Sequence, residues 1–575
     1  MFLMRVPVVR GFWVSLVWAI AVVLPGQRVS AGQDWGRQGM VVSAAAIASE
    51  TGLAILKQGG NAIDAAVATT FVISVVEPQS AGIGGGGFLL LRLGKTGEIK
   101  TLDFRERAPI AATPTMYLDK TGKVRPKSST DGYLAVAVPG TVAGLAEVHR
   151  RYGTLPWKTV VNPAMQLAKR GFLVSPGLAA AIARQQTLQQ NPAARQIFTR
   201  NGKPLAIGDR LLQTDLARTL DTLARDPNSF YTGSIGQTIA QDMQTQGGLI
   251  TRQALQQYRP IWRDPICGQF RAYRVCSMPP PSSGGVHLLQ MLNMLGDTDL
   301  KAWGWHHPDA LHLLIEVMRL AYRDRAEYLG DSDFVKVPVA ALTHPAYAAQ
   351  RRREIDMQRA RPSNQVKLMD RATLEQFHRV QESNDTSHLS VVDRDGNAVS
   401  LTFTVNLGFG AGIVTPGTGI VLNNEMDDFV TAPGVPNAFG LVGREANAIA
   451  PRKTPLSSMT PTIVTAGDQL RLVIGAPGGS TIITTVLQVI LNALVYEMEL
   501  EKAIAATRLH HQWVPDVVMI EANGFDPLTV AELQRRGHTL RERSGWGNAM
   551  GISRSPTGLL QGAADPRGEG SAAGF

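Results

Sequence analysis

The residues of this chain best suited to chemistry sit where its texture changes. From about Arg351 to Glu382 the sequence is polar and charged, an exposed linker by composition; it then passes Ser383-Asn384-Asp385 and turns strand-like at Thr386-Ser387-His388-Leu389-Ser390-Val391-Val392. A threonine hydroxyl is a poor nucleophile until a base takes its proton, and a free α-amine, with a pKa near ~8, can be that base. A cut between Asp385 and Thr386 would therefore place nucleophile and base in one residue, a variant of triad logic. Before the cut, the same hydroxyl can attack the Asp385 carbonyl and give an ester that water resolves. Taken alone, Thr386 also reads as an ordinary β-strand threonine.

Other suggestive strings read more plainly. Gly82-Ile83-Gly84-Gly85-Gly86-Gly87 tempts one toward a phosphate cradle, but that needs a following helix N-terminus, and in the P-loop a Lys-Ser/Thr. A strand, Phe88-Leu89-Leu90-Leu91-Arg92-Leu93, follows instead, and close backbone packing accounts for the glycines. His306, His307 and His312 cluster without HExxH or Cys/His spacing, so no metal site is expected; His312 and Glu316 share a helix face that equally suits surface polarity. His510-His511 adds nothing to this. Read singly, Asp427-Asp428 passes for a helix cap or strand end, Ser457-Ser458 for a turn and Gly478-Gly479 for a loop.

The elements that must position Thr386 are local. Asp393-Arg394-Asp395-Gly396-Asn397 is a turn, and Ala398 to Thr404 continues as a second strand, which together make a hairpin. A three-residue loop, Arg394-Asp395-Gly396 with left-handed glycine, sets Thr404 opposite Thr386; a two-residue Asp-Gly turn would put Val405 there. The first register is adopted because it alone gives Thr386 a hydroxyl neighbour, although the sequence permits the slip. Upstream, Ser43 to Leu56 has helical spacing ending at Gly59-Gly60, and a second helix runs from Asn61, with Asp64 in its first turn, toward Val75 before Pro78.

With 575 residues, 44% of them hydrophobic and 18% charged, the chain has the composition of a packed globular protein. Its formal charge of +10 is scattered, with Arg351-Arg352-Arg353 the one dense cluster and no interleaved aromatic platform, so no nucleic-acid partner is expected. Arg5 and Arg10 precede an apolar run from Gly11 to Leu24, and Val29-Ser30-Ala31 suits a signal peptidase. Residues 1–31 are thus expected to direct export to the periplasm or beyond. The two cysteines, Cys267 and Cys276, flank a possible tight turn at Arg271-Ala272 that would set them opposite each other; a cross-strand disulfide and two half-buried thiols both stand as readings.

Several strings in the right order resemble gamma-glutamyltransferases. They are Thr386 to Asp393, Leu422-Asn423-Asn424-Glu425-Met426-Asp427-Asp428-Phe429, Pro455-Leu456-Ser457-Ser458-Met459-Thr460-Pro461-Thr462 and Gly475-Ala476-Pro477-Gly478-Gly479-Ser480. Upstream, Asp103-Phe104-Arg105-Glu106-Arg107-Ala108-Pro109 and Pro279-Pro280-Pro281-Ser282-Ser283-Gly284-Gly285 agree as well. The resemblance implies an α+β N-terminal nucleophile hydrolase fold, an αββα sandwich of two stacked, mainly antiparallel sheets between helical layers. It also implies one proenzyme, cut at Asp385-Thr386 into a large subunit, residues 32–385, and a small one, residues 386–575, that stay together as one catalytic unit.

By the same resemblance, Thr386 is the nucleophile, Thr404 orients it, and backbone amides at Gly478 and Gly479 form an oxyanion hole. Arg105 is expected to hold the substrate α-carboxylate with help from Ser457 and Ser458, while Glu425 and Asp428 face its α-ammonium with Asn406 in reach. The implied substrates are glutathione and other gamma-glutamyl compounds, with water or an amino acid or dipeptide as acceptor, and no cofactor. Two positions depart from the pattern. Glu425 stands where some bacterial members have Gln, and Phe439, in a Pro433-to-Gly443 lid, stands where lidded members have Tyr. The nearest rival, a glutaryl or cephalosporin acylase of the same fold, would leave Asp428 without an ammonium to pair; an uncleaved, noncatalytic binding protein is the rival from another class.

Overall fold

The computed structural model describes residues 32–365, 386–432 and 434–575. The expected export segment, Asp385 and Pro433 of the lid lie outside them. Two seven-stranded sheets form the centre. In neighbour order the first runs Ser571–Gly574, Gly39–Ser43, Thr386–Asp393, Ala398–Thr404, Gly86–Arg92, Ile99–Asp103 and Ile261–Arg263. The second runs Gln33–Gly36, Leu560–Ala564, Met550–Arg554, Gln469–Gly475, Thr462–Ala466, Tyr273–Ser277 and Ile266–Phe270. Every pairing in both is antiparallel.

Three stacked cores make this the expected αββα sandwich. Leu389, Val391, Val399 and Leu401 leave one face of the first sheet and pack under helices Ala46–Lys57 and Ala62–Val76. Met40, Val42, Phe88 and Leu90 leave its other face and meet Ile463, Val473, Met550 and Ile552 of the second sheet. Leu472 and Ile474 then face the opposite helical layer, built on Gly284–Leu295, Pro308–Tyr328 and Ile482–Leu494. Burying one such Leu, Val or Ile contributes roughly 1.5–3 kcal/mol, so the period-2 alternation of the strands decides which residues serve which core.

The local readings hold with small shifts. Asn61 caps Ala62–Val76 through a reciprocal box with Asp64, and every residue of that helix is buried, as an all-round apolar helix requires. Ser43, expected to open the preceding helix, instead ends strand Gly39–Ser43, and the helix starts at Ala46. The glycine run packs backbone on backbone: a Cβ on Gly85 would lie 1.8 Å from the Thr404 carbonyl oxygen. Cys267 pairs with Cys276 across the expected turn, and they form a disulfide.

Two readings need correction. The described part of the supposed exposed linker is tied down: Arg351 is buried against Asp324, and Ser363 accepts from Arg319 and donates its backbone N–H to Asp516. A charged stretch had looked solvated because its partners, in Pro308–Tyr328 and around Asp516, are remote in sequence. His312 and Glu316 are likewise not surface residues; His312 bonds His538 and the Asp356 carbonyl, and Glu316 pairs with Arg319. Among the described residues no group of three or more His, Cys, Asp or Glu is arranged to hold a metal ion, and no helix is long and apolar enough to cross a membrane.

Candidate active site

Thr386 opens its strand directly opposite Thr404. The adopted register follows from the loop: the Asp393 N–H donates to the Asn397 carbonyl, and Gly396 takes φ +77°. Thr404 Oγ1 donates to Thr386 Oγ1 over 3.5 Å, longer than a normal O–H···O bond, and lies 3.3 Å from the Ser80 carbonyl. It accepts from the Asn406 N–H at 2.8 Å. Thr404 can thus orient the Thr386 hydroxyl, but its single proton is shared between two acceptors.

The neighbours of Thr386 on its strand do not supply a base. His388, two residues on and pointing to the same side, is fully buried between the sheets. Burial pushes it down to about 3, and its ring nitrogens are spent on Thr402 Oγ1 at 2.8 Å and Ser390 Oγ at 3.2 Å. Ser387, on the opposite side, donates to Glu77 at 2.9 Å, whose carboxyl burial pushes up to about 7.

One narrow pocket brings together Thr386, Thr404, Asn406, Arg105, Glu425, Asp428, Ser457, Ser458, Phe439 and Gly479. Its polar end is charged. Arg105, which follows strand Ile99–Asp103, contacts Glu425 at 2.6 Å and Asp428 at 2.5 Å, both carried by the 3-10 turn Glu425–Asp428. Burial alone would favour losing the Arg105 proton, but Glu425, Asp428 and Glu106 more than reverse this, and it stays charged. The two acids expected opposite an ammonium are thus also the direct partners of the guanidinium. Asp428 is held further by Asn437 at 3.0 Å.

Glu106 was not singled out as a site residue, although it adjoins Arg105 within a quoted string. It is fully buried, and burial pushes it up to about 7. Glu106 and Glu425 both face Arg105, at 3.9 Å and 2.6 Å, and burial holds Glu425 well above the usual carboxylate range. Arg325, from helix Pro308–Tyr328, is a second missed residue: its Nη2 donates to Ser458 Oγ at 3.2 Å. No spacing rule links it to the serines.

At the other end of the pocket Gly479 takes φ +53°, and a Cβ there would meet the Phe439 ring at 2.3 Å, so both backbone and space require glycine. Gly478, φ +130°, lies just outside the pocket lining and accepts from Thr481 N–H and Oγ1. Neither glycine amide has an acceptor among the described residues, which suits donors held for developing charge. Phe439 is buried, and its carbonyl accepts from Gln512. Asn406 donates to the Asn424 carbonyl.

Comparisons with known proteins place the chain in a family. The family model described as Gamma-glutamyltranspeptidase matches residues 48–575. The glutathione hydrolase proenzyme of Escherichia coli (strain K12) is 47% identical over 534 residues, covering 92% of this chain and 90% of its own length. Among solved structures, a cephalosporin acylase from Bacillus halodurans is similar with TM-score 0.82 at 29% identity, covering 98% of this chain and 99% of that one. The gamma-glutamyltranspeptidase of Helicobacter pylori is similar with TM-score 0.55 at 43% identity, covering 56% of this chain and 93% of that one. With the family model spanning nearly the whole chain and a relative this similar over nine-tenths of it, the chain belongs to the gamma-glutamyltranspeptidase family of enzymes.

Proposed function

We propose that this enzyme is a self-processing gamma-glutamyltransferase and glutathione hydrolase, exported by residues 1–31 and cut between Asp385 and Thr386 into subunits 32–385 and 386–575. The observation that carries the reading is the pocket itself. It joins a threonine hydroxyl at one end to a buried guanidinium flanked by buried carboxylates at the other. A gamma-glutamyl head group is a zwitterion whose γ-carbonyl extends away from both charges. Seated here, its α-carboxylate meets Arg105, Ser457 and Ser458, its α-ammonium meets Glu425 and Asp428, and its γ-carbonyl reaches Thr386.

The steps follow from these groups. The Thr386 amine takes the hydroxyl proton, Oγ1 attacks the γ-carbonyl, and the oxyanion is met by the Gly478 and Gly479 amides. The amine then returns the proton to the departing amino group, leaving a γ-glutamyl ester on Thr386. Water or the amino group of an amino acid or dipeptide resolves that ester, regenerating the hydroxyl. Glutathione is the donor proposed, and the two subunits interlock: Gly39–Ser43 pairs with both Thr386–Asp393 and Ser571–Gly574.

Similarity to a cephalosporin acylase supports a second reading, in which the acyl group is glutaryl and carries no amine. Glu425 and Asp428 favour the first. Product analysis with glutathione, with and without a dipeptide acceptor, alongside glutaryl-p-nitroanilide, separates the two. Release of cysteinylglycine and formation of a γ-glutamyl peptide support the proposal; turnover of the glutaryl anilide alone would replace it with the acylase.

A further inference from the structure

We infer that Arg325 is a positioning residue for donor recognition, acting by fixing the Ser458 hydroxyl as a hydrogen-bond donor to the substrate α-carboxylate; this rests on the function proposed above. Arg325 is 5% exposed, and among the described residues no carboxylate lies within ion-pair distance of it. A buried guanidinium without a direct counter-ion is costly, and an apolar side chain would fill the same space more cheaply. What Arg325 touches is two serines, Ser283 and Ser458. Its Nε donates to Ser283 Oγ at 3.0 Å, and Ser283 Oγ donates onward to the Ser457 carbonyl at 2.7 Å. Its Nη2 donates to Ser458 Oγ at 3.2 Å.

A guanidinium has donors only, so the Ser458 proton must turn away from it. Among the described residues nothing accepts that proton, and Ser458 lines the pocket that holds Arg105 and Thr386. Ser457 is set the same way by another group: its Oγ accepts the Met459 N–H at 3.0 Å, and its proton also has no acceptor among the described residues. Two adjacent hydroxyls are thereby both polarised as donors beside Arg105. Three donors in one place select a carboxylate and reject a second amine or an apolar group. Arg325 also faces Asp428 across a second narrow cavity, so an effect through the ammonium-binding acid is the competing route that the test must separate.

The test is a double-mutant cycle on the full chain, with self-cleavage of each variant as the sign that it has folded. Wild type, Arg325→Met, Ser458→Ala and the double variant are compared with γ-glutamyl-p-nitroanilide, and the single variants also with 4-aminobutyryl-p-nitroanilide, which lacks the α-carboxylate but keeps the amine. Arg325→Met should raise KM for the γ-glutamyl donor about tenfold or more with kcat changed far less. In the Ser458→Ala background the same change should add less than about twofold, because the residue acts through that hydroxyl. The 4-aminobutyryl donor should lose little. If Arg325→Met does not cut itself, Arg325→Lys replaces it, with a smaller rise in KM and the same lack of additivity. Full additivity with Ser458→Ala, or an equal loss on the donor lacking the carboxylate, overturns the inference. A wild-type enzyme that ignores the γ-glutamyl anilide would instead overturn the proposed function.

Discussion

The two ends of the pocket are built by opposite strategies. At the nucleophile end, Thr386 meets Thr404 only 18 residues away through one hairpin, and its surroundings are neutral: hydroxyls, backbone carbonyls and a histidine that burial keeps uncharged. At the head-group end, charge dominates and the partners are remote: Arg105 and Asp428 are 323 residues apart, Arg325 and Ser458 133. A neutral constellation can be aligned by strand register alone. A buried charge needs its complement delivered from elsewhere in the chain, and removing one partner leaves the other uncompensated, typically at 3–5 kcal/mol. Damage at the first end should therefore appear in self-cleavage and kcat, and damage at the second in KM and its pH dependence.

The largest effect expected is from Thr386→Ala, which removes nucleophile and processing group together. It should leave one uncut chain of full precursor mass and no measurable γ-glutamyl anilide turnover. A mature small subunit beginning at any other residue, found by intact-mass analysis, would undo the division between the two ends.

Arg105→Lys comes next and should act on the other end alone. A point charge cannot bridge Glu425, Asp428 and an incoming carboxylate as the planar fork does. Losing one charge-assisted hydrogen bond is worth roughly 1.5–3 kcal/mol, about a ten- to hundredfold rise in KM for glutathione, with self-cleavage intact. An unchanged KM would remove Arg105 from the donor site.

The two ends should also answer pH in opposite directions. Glu106 titrates at about 7 in the folded protein against 4.5 ordinarily, so the folded state binds its proton more readily, and this share of stability is lost as pH rises from about 4.5 through about 7. His388 titrates at about 3 against 6.5, so its neutral burial costs stability as pH falls from 6.5 toward 3. Melting temperatures of wild type and Glu106→Gln between pH 5 and 8 should diverge, with the variant losing the fall on the alkaline side. In the same range, release of the Glu106 proton makes the surroundings of Arg105 and the ammonium subsite more negative, so KM for the γ-glutamyl donor should fall severalfold as pH rises through about 7. Parallel curves in wild type and Glu106→Gln would place the titrating group elsewhere.

The smallest effect belongs to the wall between the ends. Phe439 packs its ring on Gly479 in the pocket that Asn406 also lines. Phe439→Tyr adds a hydroxyl worth a net ~1 kcal/mol if it finds a partner there, and should shift the ratio of transfer to hydrolysis by a fewfold while leaving anilide cleavage by Thr386 in place. Unchanged acceptor dependence and unchanged hydrolysis would withdraw the lid role from this loop.

Much of the nucleophile end was legible in the amino-acid sequence because its determinants are short-range. The Arg394-Asp395-Gly396 loop sets the pairing that puts Thr404 opposite Thr386, the turn at Arg271-Ala272 sets Cys267 opposite Cys276, and a run of glycines followed by a strand announces close backbone contact. The charged end was legible only as separate strings. Their resemblance to a family named Arg105, Glu425, Asp428, Ser457 and Ser458, and all of them line one pocket. It did not indicate that Arg105 is clasped by the same acids expected to bind the ammonium, nor that burial pushes the neighbouring Glu106 up to about 7.

By itself, then, the sequence determined the strand that Thr386 opens and the hairpin that follows it, and narrowed the register to two, since turn chemistry and a side-chain period of two act over a few residues; the nucleophile role of Thr386 came from the resemblance. Only the tertiary structure decided that His388 is neutral and spent, that a linker-like stretch is clamped by Arg319 and Asp516, and that Arg325 reaches Ser458. Those outcomes depend on burial and on charge compensation between segments that meet only after both sheets and both helical layers have closed. Neither quantity has a local signature along the chain.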